Sequence, residues 1–320
     1  MALAADLTLF VASALLLVLA ATALVRILSI IAAFLRISEY IAAFTLMAIS
    51  TSLPELFIGI SSAMQRTSML ALGTVVGSNI ADLALIGGVI ALLGRRLGVS
   101  GTIRRDTLYM FFLMLAPIAL MLAGNMLSRL DGALLLAIWT AYNWRKLRFG
   151  WLRRYRKPVE ENKIARWRAV AAALAFVPVL GLLYLSADLV TRYAGLLALD
   201  LALPAIFIGL FFVALGTSLP ELFFEARAVQ LGHGEMALGD LVGSVITNST
   251  LVLGVTALIW PISRELLLFL TSAAFMVVIA FIFLLFVESG RALYWKEGIG
   301  LLLLYVLFLM VELSLKGIAF

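Results

Sequence analysis

The segment Thr51-Ser52-Leu53-Pro54-Glu55-Leu56-Phe57 returns 166 residues later as Thr217-Ser218-Leu219-Pro220-Glu221-Leu222-Phe223. Each copy lies inside an apolar stretch long enough to cross a bilayer. A carboxylate and a proline are both costly at that depth, and ionisable residues retained there mark ion or substrate pathways. Two matched copies point to a cation site built between two halves of a transporter.

Working outward, the same offset aligns residues 45–93 with 211–259 without a gap, with 20 of 49 positions identical. It carries Phe10, Leu17 and Ala21 onto Phe176, Leu183 and Ala187, and places Phe320 opposite Arg154. The units are therefore 1–154 and 167–320, joined by a basic linker over 155–166. Reading spans at about 20 apolar residues each gives ten, near 6–26, 39–64, 69–93, 106–124, 127–145, 168–191, 203–227, 236–260, 265–287 and 294–315. Five spans per unit force the second unit into the opposite orientation. The expected fold is an all-α integral membrane protein of ten transmembrane helices, two inverted five-helix repeats with helices 2 and 7 broken. Such a repeat places a site near the bilayer midplane.

Composition agrees and excludes other classes. Of 320 residues 64% are hydrophobic and 13% charged, with mean hydropathy +1.13. Cysteine is absent and His233 is the only histidine, which excludes disulfides, thiolate sites and His-rich metal centres. If the N-terminus is outside, 19 of the 24 Lys and Arg fall in inward loops, ten of them between Arg145 and Arg168. The positive-inside rule then puts both termini outside a cell membrane. The first span lacks a basic leader and reads as a retained helix, not a signal peptide. The linker interleaves basic residues with Trp, Tyr and Phe, a composition that stacks on nucleic acid. Its position favours headgroup and anionic-lipid contact instead. The bilayer is the expected partner; neither nucleic acid nor an obligate protein partner is expected.

Pro54 and Pro220 have no N–H for the carbonyls of Ser50 and Gly216, and freed carbonyls in lipid need partners. Thr51 and Glu55 share a helix face with Ser52 close by, and Thr217, Ser218 and Glu221 repeat this. The next spans carry Gly73-Thr74-Val75-Val76-Gly77-Ser78-Asn79-Ile80-Ala81-Asp82 and Gly239-Asp240-Leu241-Val242-Gly243-Ser244-Val245-Ile246-Thr247-Asn248. Their spaced glycines are helix-packing signals. Ser78 with Asp82, and Ser244 with Asn248, stand one turn apart. Every candidate ligand is oxygen, which suits Ca²⁺ or Na⁺ over a soft metal. The carboxylates Glu55, Glu221 and Asp82 exceed the charge of one Ca²⁺ but match three monovalent cations.

The TSLPE motif in both halves, followed 23 residues after each Glu by the Ser of a Gly-Ser pair, resembles the sodium/calcium exchanger family. The resemblance covers the whole chain and implies antiport of Ca²⁺ against Na⁺ by alternating access, with no cofactor and no enzymatic activity. It implies Ca²⁺ binding by Glu55 and Glu221 with the carbonyls of Thr51 and Thr217. It implies Na⁺ binding by Ser52, Ser218, Ser78 and Ser244 with Ala48 and Ala214. Three positions depart from the family pattern. Asp82 and Asn248 are exchanged relative to archaeal-type relatives, Ser50 replaces a glycine, and Val245 replaces an asparagine. The exchange predicts an intact Ca²⁺ site with altered coupling-ion preference.

H⁺/Ca²⁺ antiport is the nearest alternative, because buried carboxylates bind protons readily. An intramembrane enzyme using Glu55 and Glu221 as acid and base lacks an evident substrate pocket and a nucleophile, and a channel would need no counter-ion. Remaining charges read plainly. Glu225 pairs with Arg227 or is solvated at an interface, and Asp240 sits near a helix start, where acidic residues are favourable. Asp188 and Glu39 are interfacial, and His233 is solvated.

Overall fold

In lipid, backbone polar groups must be satisfied within the segment, so long apolar runs become helices. The computed structural model describes residues 2–34, 51–153, 166–201, 205–262 and 266–315. Its long helices are α1 (Ala2–Phe34), α5 (Gly101–Gly124), α6 (Arg129–Arg153), α7 (Arg166–Asp200), α13 (Leu266–Gly290) and α14 (Trp295–Leu315). The motif-bearing segments are interrupted. The first runs as α2 (Leu53–Met64), then α3 (Ser68–Ile80), a π-helical stretch Ala81–Ile86, and α4 (Gly87–Gly94). The second runs as α8 (Ala205–Ile208), a π stretch Gly209–Val213, α9 (Ala214–Thr217) and α10 (Leu219–Gln230). It continues as α11 (Gly234–Thr247), a π stretch Asn248–Val252 and α12 (Leu253–Ile259).

Eight helices among the described residues are long and apolar enough to span a membrane. The sequence suggests ten. Of the other two, α2 begins at Leu53 because residues 35–50 lie outside the described part, and α6 runs on past the expected end at 145 into basic residues. Leu19, Leu174, Val177 and Phe223 are about two-thirds exposed or more, a surface meant for lipid tails and not for water. The protein is a multi-pass, all-helical membrane protein.

Two apolar cores organise the helices. One joins α3, α4, α5, the α10–α12 region, α13 and α14 around Ile80, Leu83, Ile90, Leu241, Ile246 and Phe283. The other lies mainly between α1 and α7, where Leu17, Ala21 and Leu24 meet Leu183, Ala187 and Val190. Small residues set the closest crossings. A Cβ on Gly73 would lie 2.1 Å from the Ile206 carbonyl oxygen, and one on Gly77 would lie 2.2 Å from that of Leu210. Backbone therefore rests on backbone where α3 crosses the 205–217 segment, as the spaced glycines predict. At one face, strand β1 (Arg96–Gly98) pairs antiparallel with β2 (Ala292–Tyr294), with Leu97 opposite Leu293. Elsewhere Leu127 and Ile262 form an isolated antiparallel bridge.

Candidate functional site

Proline decides where the motif helices begin. Pro54 and Pro220 occupy the first turns of α2 and α10, where a missing N–H costs nothing. Ser52 and Ser218 form the turn before each, with φ/ψ of −78°/1° and −81°/−4°. Glu55 and Glu221 follow in the first turn, where the helix dipole favours negative charge.

The two motifs meet the Gly-Ser segments in a crossed pattern. Thr51 Oγ1 shares a 3.0 Å hydrogen bond with Ser244 Oγ, and Ser78 Oγ shares one of 3.2 Å with Thr217 Oγ1. Each joins one motif to the partner segment 193 or 139 residues away. Ser78 Oγ also donates to Glu55 Oε1 at 3.2 Å, and Ser218 Oγ donates to Asp82 Oδ1 at 3.3 Å. Thr217 Oγ1 donates to the Ala214 carbonyl at 3.1 Å. That carbonyl also accepts from Ser218 N at 2.9 Å, so both lone pairs are occupied and one donor must yield before a cation binds there. Ala48, the corresponding residue of the first half, lies outside the described residues.

Thr51, Ser52, Glu55, Ser78, Asp82, Thr217, Ser218, Glu221, Ser244 and Asn248 are all buried, none more than 3% exposed. Ser52 Oγ, one oxygen each of Glu55, Asp82 and Glu221, and both side-chain polar atoms of Asn248 have no hydrogen-bond partner. The ion pairs among the described residues are Arg104–Glu288 and Lys146–Asp106, so no basic side chain neutralises these carboxylates. Buried, unpaired carboxylate oxygens cost several kcal/mol unless a cation or proton compensates them. Among the described residues no three acidic or histidine side chains converge into a cage of their own. The hydroxyls and carbonyls between the carboxylates must complete any cation shell.

Two assignments from the sequence change. Glu225 is neither solvated nor paired with Arg227. It is 1% exposed, while Arg227 Nη1 donates to Gln230 Oε1 at 3.4 Å. Asp240 is not a helix-start residue: α11 begins at Gly234, and Asp240 is fully buried with neither carboxylate oxygen partnered. Both follow from spacing, since Glu225 stands one turn beyond Glu221 and Asp240 one turn before Ser244. Their counterparts Gly59 and Thr74 are neutral, and that hid the signal. Asp188 does more than sit at an interface: it accepts from Ser61 Oγ at 2.7 Å and Gln65 Nε2 at 2.9 Å, tying α7 to α2. His233 is exposed, as expected, at the N-cap of α11. Glu39 lies outside the described residues. The sequence gave no sign of the π stretches that begin beside Asp82 and at Asn248. A widened turn of this kind re-aims side chains and is common at functional sites.

A multi-pass helical bundle enclosing unpaired carboxylates and hydroxyls defines the class of secondary cation transporters. The family model described as sodium/calcium exchanger protein matches twice, over residues 6–147 and 171–313, and the chain belongs to that family. The sodium/calcium exchanger MaX1 of Methanosarcina acetivorans is 32% identical, the alignment covering 90% of this chain and 92% of that one. The inner membrane protein YrbG of Escherichia coli is 30% identical, covering 92% of each. The solved structure of the sodium-calcium exchanger NCX_Mj soaked with Na⁺ and zero Ca²⁺ superposes with a TM-score of 0.67 at 25% identity. It covers 96% of this chain and 99% of that one. These relatives place the chain among exchangers of Ca²⁺ and other cations and not among enzymes.

Proposed function

We propose that the protein is a secondary antiporter that exchanges Ca²⁺ for Na⁺ by alternating access, with its ion site between two inverted five-span repeats, 1–154 and 167–320. The observation that carries this is the crossed hydroxyl pair: Thr51 with Ser244, and Thr217 with Ser78. Adding 166 to one pair yields the other, so each motif closes on the opposite half and neither half makes a site alone. The same offset carries Leu127 onto Leu293 and Arg96 onto Ile262, residues of the two small backbone pairings. The twofold match of the family model supports the same division. Glu55 and Glu221, with the carbonyls of Thr51 and Thr217, hold Ca²⁺. Ser52, Ser78, Ser218, Ser244 and the carbonyls of Ala48 and Ala214 hold Na⁺, with Asp82 and Asn248 beside them. The basic residues of 155–166 face the cytoplasm, both termini lie outside, and the host is the cell membrane, in keeping with the description of YrbG as an inner membrane protein.

One observation favours a second reading, proton coupling. Ser78 and Thr217 hold two hydroxyl protons for three contacts, to Glu55, to each other and to the Ala214 carbonyl. A protonated Glu55 would supply the third. ⁴⁵Ca²⁺ uptake into proteoliposomes separates the readings. Uptake driven by an outward Na⁺ gradient, and lost in Glu55→Gln and Glu221→Gln, is expected. Uptake driven only by a pH gradient would replace Na⁺ with H⁺ as the coupling ion, and flux without any counter-ion would make the protein a channel.

A further inference from the structure

Five buried carboxylates, not three, run through the interior of this protein. Glu55, Asp82 and Glu221 belong to the central cluster. Asp240 lies within electrostatic reach of Asp82 and Glu221, and Glu225 within reach of Asp240 and Asp82. The line thus continues one helical turn, about 5 Å, beyond the central cluster along α10 and α11. Glu225 is 1% exposed and Asp240 0%, yet Glu225 Oε2 and both Asp240 oxygens have no hydrogen-bond partner. Neither takes part in an ion pair.

We propose that Glu225 and Asp240 form a second site for a hard divalent cation, an antechamber to the central cluster opening toward the face that bears Arg95 and Arg96. The proposal rests on the central cluster being the exchange site. Two carboxylates match the charge of one Ca²⁺, and an all-oxygen pair suits it. Their place in the fold fixes the side. α10 ends and α11 begins at this face, where Leu97 of β1 fills the space over Gly94 and Gly234: a Cβ on those glycines would lie 2.2 and 2.9 Å from Leu97 Cδ2. Leu97 therefore caps the antechamber in this conformation.

The corresponding positions at the opposite end are closed to a cation. Gly59 stands where Glu225 would be, and a Cβ there would already lie 2.5 Å from Thr256 Oγ1 and 3.3 Å from Val252 Cγ1. Thr74 stands where Asp240 would be and spends its hydroxyl on the Leu70 carbonyl at 2.9 Å. The pair exists at one end only, so its effect on transport must be one-sided.

The test measures the KM for ⁴⁵Ca²⁺ in Na⁺-driven exchange, in vesicles with the Arg95 face turned outward and in vesicles with it turned inward. Glu225→Gln and Asp240→Asn are expected to raise KM at the Arg95 face about tenfold, one lost charge contact, and by less than about twofold at the other. Glu225→Asp, which keeps the charge, is expected to stay nearer the parent. Equal changes at both faces, or none at either, overturn the antechamber. Equilibrium ⁴⁵Ca²⁺ binding to the purified full chain tests it without flux. Glu55→Gln should retain a weak Ca²⁺ site that Glu55→Gln/Asp240→Asn loses, and absence of that residual site also overturns it. Normal exchange by Glu55→Gln would instead sink the central-site reading, whatever the Glu225 variants do.

Discussion

Asp82 concentrates the asymmetry of the central cluster in one carboxylate. Ser218 donates to it, whereas Ser52 and Asn248, the pair related to these by the repeat offset, have unpartnered polar atoms. Without the Asp82 charge, Glu55 and Glu221 still match one Ca²⁺ but no longer match several monovalent ions. Asp82→Asn is therefore expected to lower Na⁺-driven Ca²⁺ uptake about tenfold while Ca²⁺–Ca²⁺ self-exchange persists. Asp82→Asn/Asn248→Asp, which returns the charge across the site, should recover Na⁺-driven uptake. Equal rates of both exchange modes in Asp82→Asn would refute this account. At this scale the sequence was informative wherever a residue occurred twice. Glu55 with Glu221 and Ser78 with Ser244 were legible as candidates because chance does not repeat a costly choice. Glu225 and Asp240 were misread because each occurs once, opposite a neutral residue.

Elements were legible in extent but not in their irregularities. Hydropathy sees a span from 69 to 93, but not that its helix widens to π geometry at Ala81–Ile86, since no residue type demands it. The glycines were legible as packing residues, and the structure separates those under constraint from those that are free. A Cβ on Gly77 would meet the Leu210 carbonyl at 2.2 Å and Ala214 Cβ at 2.6 Å, atoms that cannot swing aside. Gly77→Ala is expected to lower the apparent Tm in detergent, at a cost of about 2 kcal/mol or more. A Cβ on Gly216 meets nothing within 4 Å, so Gly216→Ser, the residue found at the matching position 50, should leave Tm unchanged. A buried polar link joins α5 to α6 through Asp106 and Lys146 at 3.2 Å. The positions 166 residues on are Ser272 and Glu312, also hydrogen-bonded, at 2.8 Å, between α13 and α14. The chemistry differs completely, so alignment alone did not reveal the shared link. Lys146→Met leaves a buried charge uncompensated and should cost about 3–5 kcal/mol. Asp106→Asn/Lys146→Met should recover most of it, and two losses that simply add would deny the coupling.

For the whole molecule, the repeat made the all-helical class readable before any coordinates, because nearly identical halves leave few other arrangements. The division into two apolar cores was not readable, since α1 and α7 are apolar on every side and give no sign of which face meets which neighbour. That division bears on transport. Alternating access requires one body to move against another, and packed cores resist continuous deformation. The seam between the α1–α7 core and the rest is where sliding disturbs the fewest specific contacts. Phe10 of α1 meets Phe212 of the 209–213 stretch edge-on across it, with ring centroids 6.5 Å apart. The chain has no cysteine, so Phe10→Cys/Phe212→Cys introduces the only two thiols. Linking them with a short bis-thiosulfonate reagent is expected to stop Na⁺-driven Ca²⁺ exchange while ⁴⁵Ca²⁺ still binds, and reduction should restore flux. Full exchange by the cross-linked protein would place the moving boundary elsewhere, between the two repeats themselves. Binding and flux lost together would mean that the link distorts the site and not the motion.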